Sequence, residues 1–367
     1  MCVAAIRVDG LWPGWGADPQ GIKPADLSVQ VFCMGVSALP ESTAGAPGDE
    51  ETRRVSEDEL SPTSRIADVG FGAWSLGRGA SAGPSLEVSF PLLSGRVALM
   101  VSADPSMKAY YDQGKERDRL AAPKGALEFA RTQEILLRRL PPAPATVADI
   151  GGGPGRYALW LAELGCEVEH RDVMDLHVEE LRVCGHPSIR TAVGDARDLD
   201  LPDSSMDAVL FLGPMYHLPE RADRIRALKE AHRVARPGGP IFIAAISRWA
   251  ARLDGVLQER LYEHFPDFLP QLPDSERTGN LPPVVPDGFL GYTHRPNDLA
   301  DEVAAAGLRL DDLVGVEGLP LSSDDMQQRV ADPDAWNVVL DSARAIERVP
   351  ELLGLSPHLV ATATRLP

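Results

Sequence analysis

The chain has 367 residues, 44% of them hydrophobic, with 36 Lys and Arg against 54 Asp and Glu, a formal net charge of −18. That is ample material for one large α/β domain plus extra segments, and the negative charge opposes binding to a polyanion such as DNA or tRNA. No run of about 18 apolar residues and no basic-then-apolar N-terminus is present, so neither a membrane span nor a secretory leader is expected; four cysteines without a C-x-x-C pair argue for a reducing, cytoplasmic setting and against structural zinc.

Residues 1–106 are rich in Pro, Gly, Ser and Ala, carry acidic runs at Asp49-Glu50-Glu51 and Glu57-Asp58-Glu59, and show no sustained period. A disordered N-terminal tail is expected there. It is either a regulatory extension or a start-site artefact, the working protein beginning near Met100 or Met107. Globular sequence, and the main domain of residues 107–367, begins at Met107. The segment Tyr110-Tyr111-Asp112 to Leu120 precedes a helix expected from about Gly125 to Leu140, with Leu127, Ile135 and Leu136 on one side and Pro141-Pro142 after it.

Val147 to Ile150 reads as a strand that breaks into Gly151-Gly152-Gly153-Pro154-Gly155. Arg156 to Leu164 reads as an amphipathic helix capped by Gly165. Such a turn lets a ligand approach the backbone closely, and the helix N-terminus offers free N–H groups to an anionic ligand group. A dinucleotide fingerprint needs G-x-G-x-x-G; its third glycine position is here Arg156, and the pattern is instead D-x-G-x-G-x-G from Asp149 to Gly155.

Glu167 to Asp172 reads as a second strand. It ends in an acid roughly 20 residues beyond the turn, where a carboxylate can accept both hydroxyls of a ribose. Ile189 to Val193 is a third strand, followed by Gly194-Asp195-Ala196. Met206 to Leu212 is a fourth, with Gly213 to Leu218 as the loop at its end. Glu220 to Ala235 has helical period, Arg236-Pro237-Gly238-Gly239 stops it, and Pro240 to Ile246 is a fifth strand. An insert of about residues 247–295 begins helically (Arg248 to Phe265), then turns rich in Pro and aromatics; a loop this long is expected to be a lid. Asn297 caps a short helix, Asp298 to Ala306, closed by Gly307. Leu308 to Val316 and His358 to Thr364 are the last strands, with a helix from Asp334 to Leu353 between them.

These elements, in this order, resemble the class I S-adenosylmethionine (SAM)-dependent methyltransferases, the glycine turn matching their motif I. The resemblance implies an α/β fold: a Rossmann-like, doubly wound seven-stranded sheet whose last two strands form an antiparallel pair at one edge, with an inserted lid. It implies SAM as cofactor, held by Asp149, Gly151, Gly152, Gly153 and Gly155 of the turn, by Asp172 at the ribose, and by Asp195 at the adenine amine beside Ala196. Leu212 would line the pocket at the fourth strand's end. Tyr111 is expected at the methionine end of SAM and Arg131 at its carboxylate.

Tyr216 and His217 are the candidate catalytic residues. A neutral imidazole can take a proton near neutral pH; a packed loop histidine is the other reading, and His294 in the insert is a second candidate base. Gly213 to Leu218 offers no hard oxygen side chains, so no metal is expected. The tetrad Gly213-Pro214-Met215-Tyr216 lacks the side-chain acceptor of the [DN]-P-P-[YFW] loop found in methyltransferases of nucleobase amines. The expectation is methyl transfer to O or N of a small molecule by a monomer or homodimer, with no nucleic-acid or membrane partner. A non-catalytic SAM-binding protein and a nicotinamide-dependent oxidoreductase of the same topology are the alternatives. Asp172→Ala is expected to weaken cofactor binding with little change in fold.

Overall fold

The computed structural model describes residues 4–8, 29–33, 105–112, 116–283 and 289–366. The chain divides into two compact units, Met1–Ser89 and Phe90–Pro367. In the first, β1 (Ala4–Val8) and β2 (Val29–Cys33) pair antiparallel, Ala4 opposite Cys33. These ten positions lie within the stretch expected to be a tail. Both segments carry β-branched residues that favour strands, in runs too short to register as a sustained period. The rest of the expected tail lies outside the described residues up to α1.

The second unit opens with three helices: α1 (Pro105–Tyr111), α2 (Glu116–Arg119) and α3 (Pro123–Leu137). Pro123 starts α3 where its missing N–H costs nothing. Alternating strands and helices follow: β3 (Thr146–Ile150), α4 (Arg156–Glu163), β4 (Glu167–Asp172), α5 (Asp175–Cys184), β5 (Ile189–Val193), β6 (Ala208–Phe211), α6 (Arg221–Val234) and β7 (Pro240–Ser247). Gly165, with φ of +88°, stops α4.

The insert departs from expectation. Its first half is a π-helical turn at Ala251–Val256 and a 3-10 turn at Leu261–Glu263. The proline-rich half contains α7 (Phe268–Thr278), whose buried Phe268, Leu272 and Ser275 follow a helical period. The insert then pairs β8 (Asn280–Leu281) with β9 (Gly291–His294) and lays β9 parallel along the end of β7, Ser247 opposite His294. Beyond it lie α8 (Pro296–Ala305), β10 (Leu308–Gly315), α9 (Ser323–Val330), α10 (Pro333–Ile346) and β11 (His358–Arg365). The single helix expected from Asp334 is two. Ser322 caps α9, accepting from the Asp325 amide, and Asp332 caps α10, accepting from Asp334 and Ala335.

Seven strands run in the order β10-β11-β7-β6-β3-β4-β5, with β9 and β8 added beside β7. β10 and β11 are the antiparallel pair at one edge. Consecutive residues of the central strands are buried on opposite faces. Ala148, Val209, Phe211, Ile241 and Ile243 pack with α6 and α8; Val147, Ala208, Leu210 and Phe242 pack with α3, α4 and α5. A parallel sheet covered on both faces needs such unbroken apolar strands. From β3 the chain winds outward to β4 and β5, then returns to β6 and winds the other way. That reversal opens a crevice at the carboxyl ends of β3 and β6, the usual ligand site of such sheets.

Candidate active site

A cavity of about 420 Å³ occupies that crevice, within the size range of small-molecule sites. Gly151, Gly152 and Gly153 line it. Gly151 and Gly153 have φ of +66° and +57°, and a Cβ on Gly151 would fall 2.8 Å from Pro214 Cδ of the facing loop, so the turn must be free of side chains. Gly155 does not line the cavity, and a Cβ there would meet Leu181 Cδ1 at 2.6 Å. Its job is packing α4 on α5.

Asp149 sits behind the turn rather than in the wall. It is fully buried, and neither oxygen makes a hydrogen bond of ordinary geometry. Burial first, then the charge of Asp172, push its pKa up to about 7, the Ala158 amide acting the other way. Asp172, at the end of β4, lines the cavity. Oδ2 accepts from Gly153 N–H at 2.8 Å; Oδ1 accepts from Met174 N–H at 2.8 Å and lies 3.2 Å from His177 Nδ1. Burial opposes its charge, but His177 and the Met174 amide outweigh it and hold the carboxyl below its usual range. Three contacts leave lone pairs free on this carboxylate.

Asp195 and Ala196 line the cavity beyond β5. The Asp195 carboxylate is clamped by Arg197, through Nη2 at 2.6 Å, Nε at 3.0 Å and the backbone N–H at 2.8 Å. Arg197 also donates to Asp223 at 2.7 Å. The carboxylate expected to await an adenine amine is thus already engaged.

On the other side of the turn, α1 brings Tyr111 onto the loop after β6. Tyr111 Oη and His217 Nε2 are 2.6 Å apart, and Tyr216 Oη donates to the Leu212 carbonyl at 2.8 Å. Tyr111, Leu212, Tyr216 and His217 all line the cavity. Ring contacts join Tyr111 to His177 and His217, and His217 to Tyr216 and Phe289. Burial pushes the His217 pKa down to about 4, against weaker raising influences from Asp172 and the Leu290 backbone, so the ring is neutral at pH 7.

Two further expectations are corrected. Arg131 is fully buried and absent from the cavity wall; its guanidinium donates to Glu134, Glu347 and the Val316 carbonyl. It ties α3 to the segment after α10. His294 is also fully buried outside the wall, 3.2 Å from Glu302, which Arg224 holds bidentately. The insert reaches the cavity instead through Leu290, with Phe289 meeting His217 edge to face.

Sequence reading missed an ionic chain in the same wall. Arg119 donates to Glu116 at 2.7 Å and to Glu128 at 2.5 and 3.2 Å. His358 pairs with Glu317 and lies 3.9 Å from Glu128. Burial would lower the His358 pKa, but Glu128 and Glu317 raise it to about 9. Glu128, Glu317 and His358 bring ligand-type atoms within 4.8 Å of one another, and the His358 proton and Arg119 already offset their charge.

A side-chain-free turn, a buried acid behind it and a carboxylate at the next strand's end together define a nucleoside-cofactor cradle on a doubly wound sheet. Residues 148–243 match the family described as a methyltransferase domain. That match places a class I SAM-dependent methyltransferase domain, whose cofactor is SAM, within this chain. It is 33% identical over 124 residues to an uncharacterized methyltransferase of Mycobacterium tuberculosis, covering 34% of this chain and 45% of that one. It is 27% identical over 190 residues to a ubiquinone biosynthesis O-methyltransferase of Xanthomonas axonopodis pv. citri, covering 50% and 70%. It is 36% identical over 100 residues to a probable tRNA methyltransferase 9B of Mus musculus, covering 26% and 21%. The chain thus spans less than half of the first of these relatives. Among the described residues no helix is long and apolar enough to cross a membrane.

Proposed function

We propose that this chain transfers a methyl group from SAM to an oxygen or nitrogen of a small molecule, without a metal. The observation that carries the proposal is continuity: one cavity joins the glycine turn and Asp172 to Tyr111, Tyr216 and His217. The cradle fits the cofactor because Gly151 to Gly153 clear its path and Asp172 keeps free acceptor capacity toward it. Bound SAM would supply an electrophilic methyl on a sulfonium, with the thioether of S-adenosylhomocysteine as the leaving group when the acceptor's oxygen or nitrogen bonds to that methyl in line. The chain's part is then positioning, the largest saving open to a two-substrate reaction. Leu212, Tyr216 and Leu290 wall the acceptor's side and exclude water. His217, neutral and oriented by Tyr111, takes a proton from the acceptor hydroxyl or amine.

A net charge of −18 favours a small acceptor over tRNA, although one relative's name includes tRNA. Monomer or homodimer, cytoplasmic, remains the reading for assembly and setting. The test is a panel of small phenols, amines and carboxylic acids, with bulk tRNA alongside, incubated with methyl-labelled SAM with and without EDTA. Label on a small molecule, insensitive to EDTA, is the expected result. Label on tRNA alone, or activity lost to EDTA and restored by Mg²⁺, refutes the acceptor or the metal-free claim respectively. SAM binding without transfer to any acceptor would favour a binding protein.

A further inference from the structure

His170 lies on β4, fully buried beneath the glycine turn. Strand residues two apart share a face, so His170 and Asp172 both meet the turn, and they hold two sides of one residue. Gly153 N–H donates to Asp172 Oδ2 at 2.8 Å, and the Gly153 carbonyl lies 3.1 Å from His170 Nε2. A carbonyl only accepts, so Nε2 must carry the proton. Nδ1 is then an acceptor. It lies 2.9 Å from Thr191 Oγ1, on the residue opposite His170 in the parallel register of β4 and β5. Burial pushes the His170 pKa down to about 4, so the neutral ring, with its choice of tautomer, is the form present at pH 7.

We infer that His170 is a positioning residue for the cofactor turn: Thr191 keeps the proton on Nε2, and Nε2–H fixes the Gly153 peptide against Asp172. The inference rests on the reading that SAM binds this cradle. It differs from simple core filling, because an apolar side chain of similar size would fill the space yet leave the Gly153 carbonyl and the Thr191 hydroxyl without these partners. Gly153, held at its N–H and at its carbonyl by β4, would then be held at its N–H alone.

The test uses the full chain at pH 7.5. Calorimetry measures the affinity for SAM and for S-adenosylhomocysteine in the parent and in His170→Leu, His170→Gln and Thr191→Val, with melting temperatures alongside. Histidine ¹⁵N NMR of the parent reads the His170 tautomer. His170→Leu should weaken both ligands about tenfold, the scale of one lost hydrogen bond. His170→Gln, whose amide N–H can stand near the Nε2–H position, should stay within threefold of the parent. Thr191→Val should weaken binding severalfold, and the parent spectrum should show Nε2–H alone. Unchanged affinity in His170→Leu, a Gln variant as weak as the Leu variant, or an Nδ1–H tautomer in the parent each overturns the assignment. If His170→Leu fails to fold, Thr191→Val and the tautomer spectrum still decide. A parent that binds neither ligand overturns the cofactor reading as well; a parent that binds while His170→Leu binds equally overturns this assignment alone.

Discussion

Asp172→Ala tests stability and cofactor affinity at once. The carboxylate accepts from the Gly153 and Met174 amides at 2.8 Å each and meets His177 at 3.2 Å. Alanine leaves two backbone donors without their acceptor at a largely buried site. Each orphaned donor costs about 1–3 kcal/mol, so the loss is about 2–6 kcal/mol for the pair. In a domain of this size each kcal/mol lowers the melting temperature by about 2–4 °C, which gives a fall of roughly 4–24 °C. The sequence alone suggests little change in fold; the two amide contacts add the expectation of a lower melting temperature. Asp172→Asn keeps one acceptor oxygen and should lose about half as much. Affinity for S-adenosylhomocysteine should drop at least tenfold in both, measured by calorimetry at a temperature where both remain folded. An alanine variant melting within a degree of the parent would refute the claim that this carboxylate holds the turn. An unchanged dissociation constant would remove Asp172 from the cofactor site.

His217→Ala should lower turnover about 10²-fold or more while cofactor affinity stays within a few fold; equal turnover would leave His217 a packing residue. Because burial pushes its pKa down to about 4, the proton-accepting form is present above that value, so turnover should be flat from pH 6 to 9; a limb near 6.5 would mean a solvated ring. Arg131→Met should destabilise the fold by about 3–5 kcal/mol, the scale for breaking a buried ion pair, and leave cofactor binding within twofold; a tenfold loss of affinity would return Arg131 to the site. Asp149 has a folded pKa raised to about 7, so its stabilising proton is fully held below about pH 4 and lost as pH rises through 7. Relative to Asp149→Asn, the parent should therefore lose stability in denaturant titrations between pH 5 and 8; a pH-independent difference would give Asp149 an ordinary pKa.

The cofactor half of the fold was legible because its signals are local. The apolar run into Asp149, the glycines, and the acids ending β4 and following β5 are each set by a few neighbours in sequence. Residues whose roles depend on distant partners were not. Arg131 looked free on its helix face until Glu347 and Val316 closed over it, and nothing near Asp195 forecast how completely Arg197 would engage it. In the insert, three prolines in Pro266 to Pro273 masked the period of Phe268, Leu272 and Ser275 that makes α7. The sequence assigns Tyr111 and His217 separate tasks; the fold brings Tyr111 Oη and His217 Nε2 within 2.6 Å of each other.

The pairing of β9 with β7 has a consequence for how this chain could diversify. The insert leaves the sheet at Ser247 and returns beside it at His294, so the sheet clips its two ends together. Chain between clipped ends is cheap to lengthen: each doubling of a flexible loop adds only about 0.6 kcal/mol of closure entropy. The segment that delivers Leu290 to the cavity can therefore be exchanged as a cassette while the cradle on β3 and β4 keeps its register. Chimeras that graft a relative's insert between Ser247 and His294 offer a route to new acceptors that leaves cofactor affinity in place.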